Sequence, residues 1–287
     1  MAGSMKAVKL RIKSVQSTMQ ITKAMQLVAA SKLRKAKERA DASKPYLETM
    51  LGTLTDIANS NSDFRSPYTK AGTNEKWLYV VIAGDRGLAG GYNSNLFKFM
   101  EQETKGRDDV TVLPIGKKSV EYFKHRNVPL FTEEYAEVAK ITISDCFQIA
   151  KIVCDAYSSG EFGHIHICYT NFISMLSQVP TASSLLPLSD LRTTDKESDG
   201  KPRELILYEP DSETVFNTIV PEYLAGILYS SINISYASEL AARRTAMEAA
   251  TDNAEEMIDT LSLYYNRARQ ASITQEITEI VAGADTQ

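Results

Sequence analysis

The sequence predicts a mixed α/β chain: a long antiparallel two-helix coiled coil made from its two ends, with an α/β domain carrying a mostly parallel sheet between them. Three observations predict this. Both ends repeat apolar residues at 3,4 spacing over many turns, the ends carry opposite charge, and the middle changes to short β-branched runs alternating with helical stretches. The boundaries this suggests are 1–58 for the first helix, 59–74 for a polar linker, 75–212 for the α/β domain and 213–287 for the last helix.

Residues 1–44 contain no proline and one glycine, and eleven Lys and Arg face only Glu38 and Asp41, a formal balance of +9. Apolar or small residues recur as Met5/Val8, Ile12/Val15, Met19/Thr22, Gln26/Ala29 and Leu33/Ala36, with Ile21, Met25 and Val28 widening the stripe. Seven-residue spacing held this long is the mark of a left-handed coiled coil. Residues 222–287 carry four Arg against ten Asp and Glu, a balance of −6. Their rhythm reads Met247/Ala250, Ala254/Met257, Leu261/Tyr264 and Ala268/Ala271, with small residues in the second seam to let the axes approach. At 1.5 Å per residue the first helix reaches roughly 65 Å and the last roughly 90 Å, so an antiparallel pair leaves the last helix overhanging. An ordinary helical bundle is the competing reading, but the middle of the chain offers no further long amphipathic helices for it.

The middle reads as strands at 77–83, 110–115, 128–132, 164–171 and 204–208, alternating with helices at 93–103, 117–126 and 144–159. Strands without polar alternation, separated by helices, indicate βαβ units in a Rossmann-like sheet covered on both faces. Two prolines at 177–188 and the charged run 193–202 read as a surface loop before the last strand.

The chemistry-bearing candidates are weak. Gly84-Asp85-Arg86-Gly87-Leu88-Ala89-Gly90-Gly91 follows the first strand, yet its spacing is not that of a dinucleotide loop, and a glycine-requiring turn is the better reading. Gly116-Lys117-Lys118-Ser119 lacks the earlier glycine of a phosphate loop. His164, His166 and Cys168 share a strand face but want a fourth ligand, so no metal site is expected. Ser174, Ser177 and His125 have no catalytic context, and neither a catalytic set nor a cofactor site emerges. The basic first helix offers nonspecific affinity for nucleic-acid phosphates, a solvated face, or a dock for an acidic protein, and composition separates none of these. Three cysteines without paired spacing suit a reducing compartment, and no run approaches the ~20 apolar residues a membrane span needs.

Three stretches are more specific. Ser14-Val15-Gln16-Ser17-Thr18-Met19-Gln20-Ile21-Thr22-Lys23 with its continuation to Leu33, the loop from Gly84 to Gly91, and Tyr265-Asn266-Arg267-Ala268-Arg269-Gln270-Ala271-Ser272-Ile273-Thr274-Gln275-Glu276-Ile277 closely resemble the gamma subunit of F-type ATP synthases, bacterial type. The resemblance implies a non-catalytic central rotor shaft. Its terminal helices would enter the hexamer of alternating alpha and beta subunits, one copy per complex, with the α/β domain near the epsilon subunit and the membrane c-subunit ring. It implies no cofactor and no nucleic-acid partner. Coupling contacts with beta and alpha are expected at Lys9, Lys13, Lys23, Met25 and Arg34 on the first helix and at Arg243, Arg269, Gln270, Thr274 and Glu276 on the last, and Tyr208 and Glu209 are candidates for touching the ring. Ala89 stands where the family often has cysteine, and the cysteine-bearing insert of chloroplast forms is absent, so no thiol switch is expected. With no transit peptide in view, the peripheral, cytoplasmic face of a bacterial membrane is the expected location, a mature organellar chain being the alternative.

Overall fold

The computed structural model describes residues 2–60, 64–70, 72, 74–107, 109–192 and 208–284. In chain order the elements are α1 (Ala2–Asn59), β1 (Trp77–Ile82), α2 (Tyr92–Glu103), β2 (Val110–Ile115), α3 (Lys117–His125), α4 (Ile143–Ser158), β3 (His164–Phe172), β4 (Gln178–Leu186) and α5 (Ser212–Ala284). The terminal helices hold 58 and 73 residues and absorb Pro45 and Pro221 in their interiors. Contacts group the chain into two compact units: Met1–Ser31 with Arg243–Gln287, and Lys32–Ala242.

In the first unit α1 and α5 pair along a thin seam. On α1 the expected pairs from Met5/Val8 to Gln26/Ala29 are all less exposed, joined at the edge by Met25 and Ala30, whereas Ile21 and Val28 are exposed and lie off the seam. On α5 the seam runs Met247, Thr251, Ala254, Ile258, Leu261, Tyr265, Ala268 and Ser272. The second member of each expected pair is therefore one residue later, and Met257, Tyr264 and Ala271 are exposed. A 4,3 alternation keeps the same heptad period as a 3,4 alternation, so spacing fixed the repeat but not the phase of its second position. Thr22 meets Thr251 across the seam, their hydroxyl oxygens 2.7 Å apart and buried. Burial deepens toward Ala29 on α1 and toward Met247 on α5, opposite chain directions, as antiparallel partners require. The opposed charges, including Lys6, Lys9, Lys13, Glu248, Asp252 and Glu255, sit on exposed positions outside this seam.

The second unit is the α/β body. Its sheet has the order β2-β1-β3-β4, parallel from β2 to β3 and antiparallel at the β3–β4 hairpin. β1 is buried on both faces, which explains its unbroken apolar run. One face packs α2 and α3 through Tyr79, Leu96, Met100 and Phe123; the other packs α1, α4 and α5 through Leu54, Ile57, Ile149, Val153, Phe216, Leu224 and Leu228. Thr142 and Asp145 close α4 with a capping box. Gly226 lets the Tyr46 ring lie against α5, where an added Cβ would come within 2.7 Å of it.

Two strand expectations are corrected. Residues 128–132 supply only a bridge from Leu130 to Val112, because Asn127 turns at φ 55° and Pro129 has no N–H with which to extend a ladder. Residues 177–188, expected as loop, contain β4, an edge strand in which Pro180 lies opposite Thr170. A proline is tolerated at an edge because one side of the strand needs no donor. Of the expected strand 204–208 only Tyr208 is described; 204–207 and the loop 193–202 lie outside the described residues.

Candidate functional site

The candidate contact residues in the first unit fall on helix surface. Lys9, Lys13 and Lys23 are exposed, and at 100° per residue they fall within an arc of about 80°, roughly a quarter turn from the seam. Opposite the seam, Leu10, Ile21 and Val28 form an apolar stripe that is 61%, 57% and 54% exposed. Met25 is half-buried, so it serves the seam's edge as well as facing outward. Toward the end of α5 no residue after Ser272 and up to Val281 is better than exposed. There Ile273, Ile277, Ile280 and Val281 share a second bare apolar stripe. Arg269 and Glu276, seven apart, flank it on one side; Gln270 and Thr274, four apart, flank it on the other, with the Thr274 hydroxyl donating to the Gln270 carbonyl at 3.0 Å. Arg243 is half-buried on α5. In the body, Arg34 is exposed, 4.0 Å from Glu38. Tyr208 packs partly into the core, and Glu209 is exposed just before the start of α5, whose N-terminus is capped by Asp211 through the Thr214 N–H and hydroxyl. Those two bonds hold the Asp211 carboxyl below its ordinary range.

The motifs that looked like ligand sites are filled by the protein itself. In a sheet of this order the ligand crevice lies beyond the carboxyl ends of β1 and β3, where the connections leave in opposite directions. α5 occupies that place. The Ser235 and Tyr92 hydroxyls share a hydrogen bond at 2.7 Å, Ser235 accepts from the Thr170 N–H at 3.3 Å, and Ser238 donates to the Thr170 carbonyl at 2.9 Å. The carboxylate of buried Glu239 lies so near Gly84 that a Cβ there would meet it at 3.0 Å. The glycine-rich loop thus admits a side chain of its own fold. Asp85 in that loop accepts from the N–H groups of Lys117, Val138 and Ala139, tying three connections together. Gly116 has φ 97° and no room for a Cβ against the Ala83 carbonyl, which is why glycine opens α3. Gly87, by contrast, has open space, so bulk there meets no packing obstacle.

His164, His166 and Cys168 do share a face, and it is an aromatic one. His164 stacks on Trp77 at 4.2 Å, His166 tilts against Trp77 and Tyr79, and the Arg107 guanidinium lies 3.8 Å from the Trp77 ring while pairing with Glu103. Burial, with Arg107 and His164 nearby, pulls His166 down to about 4, and burial pushes the Cys168 thiol well above its ordinary range. Among the described residues no group of three His, Cys, Asp or Glu gathers as a metal site. Ser174 and Ser177 build the β3–β4 turn, and His125 is exposed at the end of α3. A cavity of about 510 Å³ near the start of α4 is lined by Glu134, Glu137, Lys140 and Asp145. Two of its carboxylates are engaged, Glu137 by Lys117 and Lys140 and Asp145 by Thr142. No described helix is long and apolar enough to cross a membrane.

A family model described as ATP synthase matches residues 4–286. A gamma chain of ATP synthase from Ruminococcus albus is 48% identical, covering 97% of this chain and 96% of its own. The chain belongs to the ATP synthase gamma chain family. Other members are the gamma chain of Lachnoclostridium phytofermentans, 42% identical over 99% of both chains, and the sodium ion specific gamma chain of Acetobacterium woodii, 38% identical over 99% of both. In solved structures the fold recurs in a Euglena gracilis mitochondrial ATP synthase, OSCP/F1/c-ring in rotational state 3, with a TM-score of 0.67, 20% identity, and 100% of this chain and 95% of that chain covered. Family membership gives the exposed stripes on α1 and α5 a context. Sequence reasoning named its candidate contact residues through motifs, and missed Tyr92, Thr170, Ser235, Ser238 and Glu239, which fill the crevice. The available signal was the run of small polar residues on an otherwise apolar helix, Ser230, Ser231, Asn233, Ser235 and Ser238.

Proposed function

We propose that this chain is the central rotor shaft of an F-type ATP synthase, coupling ion flow through a membrane c-subunit ring to ATP synthesis and hydrolysis at beta-subunit catalytic sites. Full-length kinship at 48% identity to a gamma chain carries the reading. The bare apolar stripes on α1 and α5 support it, because single helices with uncovered apolar faces need an external sleeve to bury them. A hexamer of alternating alpha and beta subunits is that sleeve, and a shaft without threefold symmetry sits in it as one copy. The body lies toward the epsilon subunit and the ring, on the cytoplasmic face of a bacterial membrane, as a peripheral component.

The chain contributes no catalytic group; the nucleotide chemistry belongs to its partners. Lys9, Lys13, Lys23 and Arg34 present mobile positive charge to acidic loops of beta, an attraction that falls with salt and lets each contact release. Met25 lies at the edge of the seam, where a charge would disturb both pairing and contact. Arg243, Arg269, Gln270, Thr274 and Glu276 supply the directional contacts from α5, and Tyr208 with Glu209 meets the ring. A rotor that favours one conformation of each beta subunit by a few kcal/mol shifts its population by orders of magnitude.

Mixing the chain with alpha and beta subunits and measuring native mass and ATP hydrolysis tests the reading. One copy per three alpha and three beta, with sustained hydrolysis that depends on the chain, is expected. Partners that assemble with another gamma chain but ignore this one would overturn it.

A further inference from the structure

We propose that Ser235 and Ser238 are positioning residues that lock the rotational register of α5 against the sheet, so that torque passes between helix and body without slip. This rests on the rotor reading. The geometry is specific. β1 pairs with β3 only as far as Val81 opposite Cys168, and Thr170, two residues further on, has lost its β1 neighbour. Its N–H donates to Ser235 and its carbonyl accepts from Ser238, so two serines of one helix take up both groups where the neighbouring strand has ended. Ser235 also bonds the Tyr92 hydroxyl at the start of α2 and lies within reach of the Ile82 carbonyl, at 3.5 Å, at the end of β1. One hydroxyl therefore ties α5 to β1, β3 and α2 together, and all of its atoms are buried.

The rest of the α5 contact cannot do this. Phe216, Val220, Leu224, Leu228 and Ile232 bury apolar surface against the body. Apolar burial is non-directional, so it holds the helix on the sheet with little preference for one rotation over a neighbouring one. Hydrogen bonds between buried partners are directional, and breaking them strands the N–H and carbonyl of Thr170 without water to replace the lost bonds. Glu239, seated on Gly84 one residue after Ser238, blocks rotation in the same place by bulk.

The test is made in the assembled alpha–beta–gamma complex, with a bead attached through Lys105→Cys, an exposed site at the end of α2. The native cysteines are buried and leave that thiol as the handle. The double variant Ser235→Ala/Ser238→Ala is expected to hydrolyse ATP at the wild-type rate without load and to lose about twofold or more of the torque delivered to the bead. Leu228→Val, which costs comparable stability without touching a register bond, is expected to keep wild-type torque. Wild-type torque in the double variant, or an equal loss in Leu228→Val, overturns the proposal. If the double variant does not fold, Tyr92→Phe decides the matter in the same assay, with a partial torque loss expected and no loss overturning it. A wild-type complex whose hydrolysis is independent of this chain overturns the rotor reading instead.

Discussion

The paired-helix unit and the α/β body solve the burial problem in opposite ways. In the body, β1 is buried on both faces and its strand residues Leu78 to Ile82 are wholly excluded from solvent. In the paired-helix unit the deepest residues apart from Met247 are small, Thr22, Ala29, Thr251 and Ala254, while larger apolar side chains such as Leu10, Ile21, Leu263 and Ile277 face outward. The body completes its own core, and the paired helices leave theirs to be completed by something else. Stability therefore belongs to the body, and uncovered apolar surface belongs to the helices.

That contrast can be broken first at the body's core. Phe216 is fully buried and meets Phe64 edge to face at 4.9 Å. Phe216→Ala is expected to cost about 3–5 kcal/mol in denaturant unfolding. Ile277→Ala, on the exposed stripe, is expected to change the isolated chain by less than about 0.5 kcal/mol while weakening assembly with alpha and beta. Equal losses at the two positions would erase the distinction.

The next effect is on pH dependence. The native body keeps His166 neutral down to about 4, against an ordinary value of 6.5. Between these values the unfolded chain binds the extra proton, so stability is fully present above pH 6.5 and falls as pH drops toward 4. Allowing for partial exposure, the loss is about 1–2 kcal/mol. Unfolding midpoints from pH 7 to 4 should decline less steeply in His166→Phe than in the wild type, and parallel declines would remove His166 as the cause.

Smaller again is the polar layer in the helix seam. Thr22→Val is expected to cost about 1 kcal/mol, since the buried Thr251 hydroxyl loses its cross-helix partner and keeps only its bond to the Met247 carbonyl. Thr22→Val with Thr251→Val is expected to recover most of that loss, because two methyls replace two hydroxyls in a closed seam. A double variant worse than the sum of the singles would mean the pair sets register rather than stability. Thr142→Ala, which opens the capping box of α4, is expected to cost about 1 kcal/mol by thermal melting.

Regions were legible where one period ruled. The 3,4 spacing of α1 and the unbroken run of β1 each expressed a single burial demand, and both elements stand where those patterns pointed. β4 was hidden because an edge strand obeys several demands at once: Pro180 argues for a loop, and the exposed residues Val179, Ser183 and Ser184 hide the alternation. The one-residue phase of the α5 seam was hidden because Ala250 and Thr251 are both small enough to fill it. The filled crevice was out of reach for a different reason. Glu239 lies about 150 residues from the loop it fills and Ser235 lies 65 from Thr170, and local pattern carries no information about such pairs. The proposed contact residues on α1 and α5 came from motif resemblance, since an exposed lysine or arginine has the same local pattern whether or not a partner covers it.

Rotation of the body within the assembled complex tests the account most directly. A fluorophore on Lys105→Cys, observed by polarisation while ATP is hydrolysed, should turn in one direction through three discrete steps per revolution, as an asymmetric shaft among three beta sites demands. Steady hydrolysis that requires the chain while the fluorophore keeps a fixed orientation would contradict it.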